Sequence, residues 1–225
     1  MHSLHTAMPI GITDFKVVRE SCYYVDKSRF IGEILRKKGR VTLITRPRRF
    51  GKTLALSMLA YFCTIKNAEK NRVLFNDLEI ASDTSVMKKQ GTYPTIFLSL
   101  KDLGANSYEL MLELFKDALH DIFQPFTDLL ESNALDNVEK DIFRQIYTLQ
   151  GKEADLRLSL KRLIQLVYKY YGKKVVLLID EYDLPIQTAI QYGYYEQCIN
   201  FMQTFLGACL KDNIYLEFAV LTGVQ

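Results

Sequence analysis

Four β-rich apolar segments alternate with amphipathic helical stretches along this chain. That alternation predicts an α/β fold, a three-layer sandwich around a mostly parallel sheet. Two further observations support it. Val175–Ile179 is continuously apolar, as a parallel strand buried on both faces would be. Polar residues of catalytic type (Lys52-Thr53, Asp180-Glu181 and Thr222) fall at or just past strand ends, where open α/β sheets bind ligands.

Size and composition set the frame. The 225 residues are 48% hydrophobic and 24% charged, enough for one large or one and a half ordinary domains with a real core. A net charge of +3 is too small to imply nucleic-acid binding by itself. Cys22, Cys63, Cys198 and Cys209 show no C-x-x-C spacing, which fits reduced, buried thiols in a cytoplasm. Met1-His2-Ser3-Leu4-His5 lacks the apolar stretch of a secretory signal. No apolar run reaches membrane-spanning length. Sparse glycine and proline leave no flexible linker.

In chain order, Thr13 or Asp14 is placed to cap a helix from Phe15. Ser21–Asp26 reads as extended. Phe30, Ile31, Ile34 and Leu35 share a helical face, with Gly39 suited to the position after its C-cap. Val41–Thr45 reads as a buried strand. Leu54, Met58, Leu59 and Phe62 mark the core face of a helix over residues 51–64. Residues 66–90 read as irregular with small helices. Thr95–Leu100 is the second strand. Asn106 or Ser107 caps a helix through Ile122, which Pro125 ends. Val138, Ile142, Ile146 and Leu149 suggest another helix. A stronger one runs from Leu156 to Tyr171, stopped at Gly172. The third strand ends at Asp180-Glu181. A helix over residues 194–210 and a strand from Tyr215 to Thr222 complete the pattern.

The chemistry centres on Val41–Thr53, V-T-L-I-T-R-P-R-R-F-G-K-T. Strand, loop, Gly51-Lys52-Thr53 and helix form the context of a phosphate-binding loop. Backbone N–H groups and a helix N-terminus face an anion there. Lys52 meets the β/γ-phosphates, and the Thr53 hydroxyl ligates Mg²⁺. A bare lysine at a helix N-terminus opposes the helix dipole unless an anion binds. In the general pattern G-x-x-x-x-G-K-[ST], Arg46 stands where the first glycine would be. Val175–Glu181, V-V-L-L-I-D-E, has the form of a Walker B strand. Asp180 at its tip suits Mg²⁺, and Glu181 suits activation of water.

Other residues carry two readings each. Thr222 is placed to sense the γ-phosphate or the lytic water, or is simply a polar strand end. Arg46, Arg48 and Arg49 suit a phosphate clamp, or are solvated or paired with acids. Phe15, Tyr23 and Tyr24 suit adenine stacking, although core packing is the better reading in so aromatic a chain. His2, His5 and His120 read as surface residues.

The sequence resembles a bacterial AAA-ATPase-like family of P-loop proteins, often joined to a C-terminal PD-(D/E)XK nuclease-like domain. The matching pieces are P-I-G-I-T-D-F (residues 9–15), Y-Y-V-D-K (23–27), L-I-T-R-P-R-R-F-G-K-T (43–53), Y-K-Y-Y-G (168–172), L-I-D-E-Y-D-L-P-I-Q (178–187) and A-V-L-T-G (219–223). In that family the R-P-R-R-F insert, with Arg46 in it, is the identifying form of the loop. The resemblance implies a P-loop NTPase fold with a sheet ordered 5-1-4-3-2, ATP and Mg²⁺ as ligands, and Glu181 as catalytic acid-base.

On this reading, residues 1–40 form a family-specific segment packed on a P-loop ATPase-like domain at 41–225. Arg46, Pro47, Arg48, Arg49, Phe50, Gly51, Lys52, Thr53 and Leu54 surround the nucleotide. Thr53 and Asp180 hold the metal. Glu181, Lys52 and Thr222 serve catalysis. The chain ends just past the fourth strand, so a fifth strand, a lid, an arginine sensor and the nuclease-like domain are expected outside it. Three functions follow: an ATPase, a nucleotide-dependent switch without efficient turnover, and, on the nuclease-like neighbour alone, a nucleic-acid-processing factor.

Overall fold

The computed structural model describes residues 7–37 and 39–224. Its elements are α1 (Phe15–Ser21), α2 (Arg29–Arg36), β1 (Val41–Thr45), α3 (Lys52–Cys63), α4 (Ala68–Arg72), α5 (Thr84–Met87), β2 (Thr95–Ser99), α6 (Tyr108–Phe123), α7 (Asn137–Tyr147), α8 (Glu153–Tyr171), β3 (Val175–Asp180), α9 (Leu184–Tyr192), α10 (Tyr195–Leu210) and β4 (Leu216–Gly223). The four strands form one all-parallel sheet ordered β1-β4-β3-β2. That is the expected 5-1-4-3-2 order over the four strands present.

Strand alternation sorts the core into two layers. Val175, Leu177 and Ile179 of β3 face a cluster built with α6, α8 and α10. Val176 and Leu178 face the other, built with α1, α2 and α3. β3 is buried at every position, as its apolar run predicted. Phe115 wedges edge-on between Phe201 and Phe205, with centroids 4.9 and 4.7 Å away. Phe15 stacks on Phe75 in the opposite layer.

Local signals place most helix ends. Asp14 accepts the Val17 N–H and Ser107 the Leu110 N–H, capping α1 and α6. Asp136 and Glu139 form a reciprocal capping box at α7. Gly172 takes the left-handed conformation that closes α8, φ 62°. Short α and 3₁₀ helices fill residues 68–87, matching the irregular reading.

Several expectations change. Among the described residues β1 is not buried: it pairs on one side only, with β4, and Val41 is 43% and Leu43 53% exposed. Gly39 does not cap α2, because the helix ends at Arg36 and Lys37 turns to extended backbone. In α7, Phe143 and Ile146 are buried while Val138 is exposed, and Leu149 lies past the helix with φ 63°. His120 is partly covered, stacked on Tyr147 with Nδ1 2.6 Å from the Tyr147 carbonyl. His2 and His5, and with them the start of the chain, lie outside the described residues. α9 was not anticipated.

Candidate functional site

The sheet register brings the polar strand ends together. Ser99 lies opposite Asp180, Ile179 opposite Leu221, and Ile44 opposite Thr222. Thr45 feeds the basic loop, whose Arg46 N–H reaches the Gly223 carbonyl at 3.4 Å. The loop turns through two left-handed residues, Arg49 (φ 68°) and Gly51 (φ 74°). No atom stands within 4 Å of where a Gly51 side chain would begin. The glycine is therefore required for its backbone conformation, not for space. It immediately precedes α3, whose first residues are Lys52 and Thr53.

Lys52 turns back over this loop. Its ammonium donates to the carbonyls of Arg46 at 2.7 Å and Pro47 at 2.9 Å. The cation thus lies inside the curve of the loop at the helix N-terminus. Thr53 and Leu54 follow as half-buried residues. Phe50 is 65% exposed at the loop's tip. Arg46, Arg48 and Arg49 form no close ion pair among the described residues, and Arg48 acts on the Glu181 carboxylate from across a shared cleft.

Asp180 and Thr222 are fully buried side by side. The Thr222 hydroxyl donates to Asp180 Oδ1 and accepts the Glu181 N–H at 3.3 Å. The other Asp180 oxygen, Oδ2, is buried with no hydrogen-bond partner among the described residues. An orphaned carboxylate oxygen costs free energy unless a cation or water completes it. No group of three or more histidine, cysteine, aspartate or glutamate side chains forms a metal cluster among the described residues.

Glu181 follows in the left-handed region, φ 53°. A non-glycine residue held there carries about 1–3 kcal/mol of strain, and such residues gather at functional sites. Burial raises its carboxyl above the usual range, and the Asp180 carboxylate raises it further, while Lys52 and Arg48 pull it down. These causes also place Lys52 and Arg48 within electrostatic reach of Glu181.

Residues after Glu181 clasp the strand tips. Tyr182 N–H donates to the Thr222 carbonyl at 3.1 Å, and Asp183 Oδ2 accepts the Val224 N–H at 2.9 Å. A side chain at Gly223 would approach Tyr182 to 2.7 Å and Asp183 to 2.9 Å, so any larger residue here must push those two side chains aside.

Two clefts flank the arrangement. One of about 340 Å³ is lined by Glu181, Arg48, Asp183, Gln187 and Lys101. Lys101 and Gln187 were not anticipated. The signal available for Lys101 was its place just past the second strand, as Lys52 and Glu181 stand past theirs. The other cleft, about 230 Å³ and mostly apolar, runs between the N-terminal segment and α3. Tyr23, Tyr24, Pro9, Gly51, Leu54 and Ala55 line it. Of the three aromatics considered for stacking, Phe15 is core and Tyr24 packs edge-on against it at 5.4 Å. Tyr23 stands 55% exposed at the cleft. The N-terminal segment is tied to α3 by Phe15 N–H to Ser57 Oγ (2.9 Å) and Tyr61 OH to Asp14 Oδ2 (3.0 Å).

Comparison with known proteins agrees with this architecture. The chain is 28% identical over 221 residues to an uncharacterized protein in the vnfD 5'region of Azotobacter chroococcum mcd 1. The match covers 97% of the chain and 37% of that relative, so the chain spans well under half of the relative's length. No solved structure matches. No helix of the described residues is long and apolar enough to cross a membrane. The family described as Predicted AAA-ATPase matches residues 9–225, nearly the whole chain, and the chain belongs to this AAA-ATPase-like family.

Proposed function

We propose that this chain is an ATP-binding, Mg²⁺-dependent P-loop domain that hydrolyses the β–γ phosphate anhydride. The observation that carries the proposal is the buried, half-satisfied Asp180 beside Thr222 and Glu181, on strand tips adjoining the Gly51-Lys52-Thr53 turn. The loop amides and Lys52 hold the phosphates. On binding, Lys52 exchanges the Arg46 and Pro47 carbonyls for phosphate oxygens. Residues 46–54 surround the triphosphate, and the apolar cleft beside Tyr23 and Leu54 takes the base.

The donor set fits a hard cation that keeps most of its water: one unpartnered carboxylate oxygen on Asp180 and one hydroxyl on Thr53. Those two residues would hold Mg²⁺, whose charge neutralises the phosphates. Glu181 accepts a proton from water as the water oxygen attacks the γ-phosphorus. The bond to the bridging oxygen breaks, and ADP and inorganic phosphate leave. The raised Glu181 carboxyl is suited to taking that proton. Thr222 fixes both acids relative to each other. Arg48, which faces Glu181, balances charge on the transferring group. Four buried, unpaired cysteines fit a cytoplasmic setting.

Two substitutions test this reading. Lys52→Ala should abolish ATP binding in titration calorimetry. Glu181→Gln should bind ATP and release no phosphate; undiminished turnover by that variant would remove Glu181 from the mechanism.

One observation favours a second reading. Lys52 bonded to its own loop means that nucleotide draws the ammonium off the Arg46 and Pro47 carbonyls and leaves them to find other partners. A nucleotide-dependent switch read by another domain or partner follows directly from such a rearrangement. Tight ATP binding without steady-state phosphate release identifies the switch; sustained release identifies the ATPase.

A further inference from the structure

The free edge of β2 has the features of a strand-addition site. β2 pairs only with β3, and its other edge is open among the described residues. Parity shows which backbone groups are open. The Pro94 carbonyl and Leu100 N–H bond toward β3, whereas Tyr93 uses both its N–H and carbonyl on the opposite side, with Cys63 and Ile65. In a parallel strand each residue directs both groups to one side, so Thr95, Phe97 and Ser99 face the open edge. The Thr64–Tyr93 bridge is already the first rung of a parallel strand there, before the chain turns away into α4.

Beyond that rung lies a trough. Two cavities of about 290 and 490 Å³ share Phe97, Asp121 and Ile122 and run on from Thr95 to Lys101. One wall is α6. Asp117 and Asp121 line it, with Asp102 at its upper end; all three are exposed and hold no ion pair among the described residues. Lys66 at the lower end is already engaged, with Asp128 at 3.7 Å and the Pro125 carbonyl. Lys101, beside Asp102 at the upper end, forms no ion pair among the described residues.

Spacing matches charge. Asp117 and Asp121 are four residues apart on a helix, a separation of about 6 Å along its axis. Same-face side chains of a strand repeat at about 6.6–6.8 Å. We propose that β2 accepts an added strand from a partner protein, an extended segment with lysine or arginine at alternating positions facing Asp117 and Asp121. The main chain pairs with Thr95, Phe97 and Ser99, and the basic side chains meet the α6 carboxylates. A second copy of this chain is a poor occupant, because edge-to-edge pairing would bring two aspartate rows together. This proposal does not depend on nucleotide chemistry.

The probe is a short labelled peptide alternating lysine and valine, titrated against the full chain at low salt by fluorescence anisotropy. Saturable binding is expected, with hydrogen exchange slowed at the amides of Thr95, Phe97 and Ser99. The exposed double substitution Asp117→Lys/Asp121→Lys should weaken it at least about tenfold, with an unchanged circular dichroism melt. The same peptide with every backbone nitrogen methylated should not bind. Equal binding of the methylated peptide, no amide protection, no effect of the double substitution, or no binding of the parent peptide each overturns the proposal. So does dimerisation of the chain through this edge in sedimentation experiments.

Discussion

Thr222 donates its hydroxyl to Asp180 across the tips of β4 and β3, and the same oxygen accepts the backbone N–H of Glu181. One small side chain therefore fixes two acids that differ in burial. Replacing it with its isostere tests this directly. Thr222→Val keeps the volume, leaves both Asp180 oxygens without a donor and strands the Glu181 N–H. Each unsatisfied buried group costs about 1–3 kcal/mol. We expect a loss of stability of that order and a fall in kcat of roughly a hundredfold, with KM for ATP little changed. Thr222→Ser should restore most of both. Chemical denaturation and steady-state kinetics read the two effects separately; a change confined to KM would mean that Thr222 acts on binding instead.

Glu181 offers a test that needs no nucleotide. Burial, and then the Asp180 carboxylate, make its folded carboxyl hold a proton more tightly than the unfolded chain does, where the value is about 4.3. Stability is therefore lost as pH rises from the unfolded value through the raised folded one. Glu181→Gln removes that titration and keeps the side-chain shape. The variant should be more stable than the parent at neutral pH, with the gap closing as pH falls to about 4. Denaturant midpoints across this range measure it. A variant less stable at neutral pH would show that the charged form is stabilised in the fold.

The apolar cleft between Tyr23 and α3 predicts a split between base and phosphate recognition. Ala55→Trp fills the cleft from α3, one turn beyond Gly51, and leaves Lys52 and Thr53 unchanged. It should weaken ATP by about tenfold or more, the cost of excluding one buried aromatic group, while affinity for inorganic tripolyphosphate holds. Equal losses for both ligands would place the base elsewhere.

How much of this was legible depended on whether the signal was local. The Gly51-Lys52-Thr53 turn, the Asp180-Glu181 strand end and the late Thr222 all announce themselves by residue type at a strand end. Their convergence follows from parallel strands alone. The Ser107 cap and the Gly172 stop are local too. β1 is exposed among the described residues because it pairs there on one side only, and a strand's apolar pattern does not reveal how many neighbours it has. The α7 face was misread because Val138 and Phe143 lie about 140° apart around the helix, so the two cannot face the core together, and the packing of Phe123 on Phe143 at 5.0 Å selects Phe143. α9 did carry a signal, Pro185 in its first turn and Gly193 (φ 82°) at its close. Lys101 carried only its place just past β2, and the cleft at Tyr23 depends on contacts between segments distant in sequence, which no local pattern encodes.

The exposed edge of β1 has a physical consequence of its own. Among the described residues β1 pairs on one side only, with β4, and Leu43 and Val41 stand about half exposed there. An unpaired strand edge with apolar side chains is a template for further pairing. Leu43→Lys places a charge at that edge and loses little packing, since the side chain is already 53% exposed. We expect stability to stay within about 0.5 kcal/mol of the parent and aggregation at high concentration to slow markedly. Lys52 and the loop after β1 are untouched, so ATP affinity should hold. Light scattering over time and a denaturation curve measure these outcomes. Unchanged aggregation would clear this edge, and a destabilisation above about 2 kcal/mol would show that Leu43 packs as a core residue.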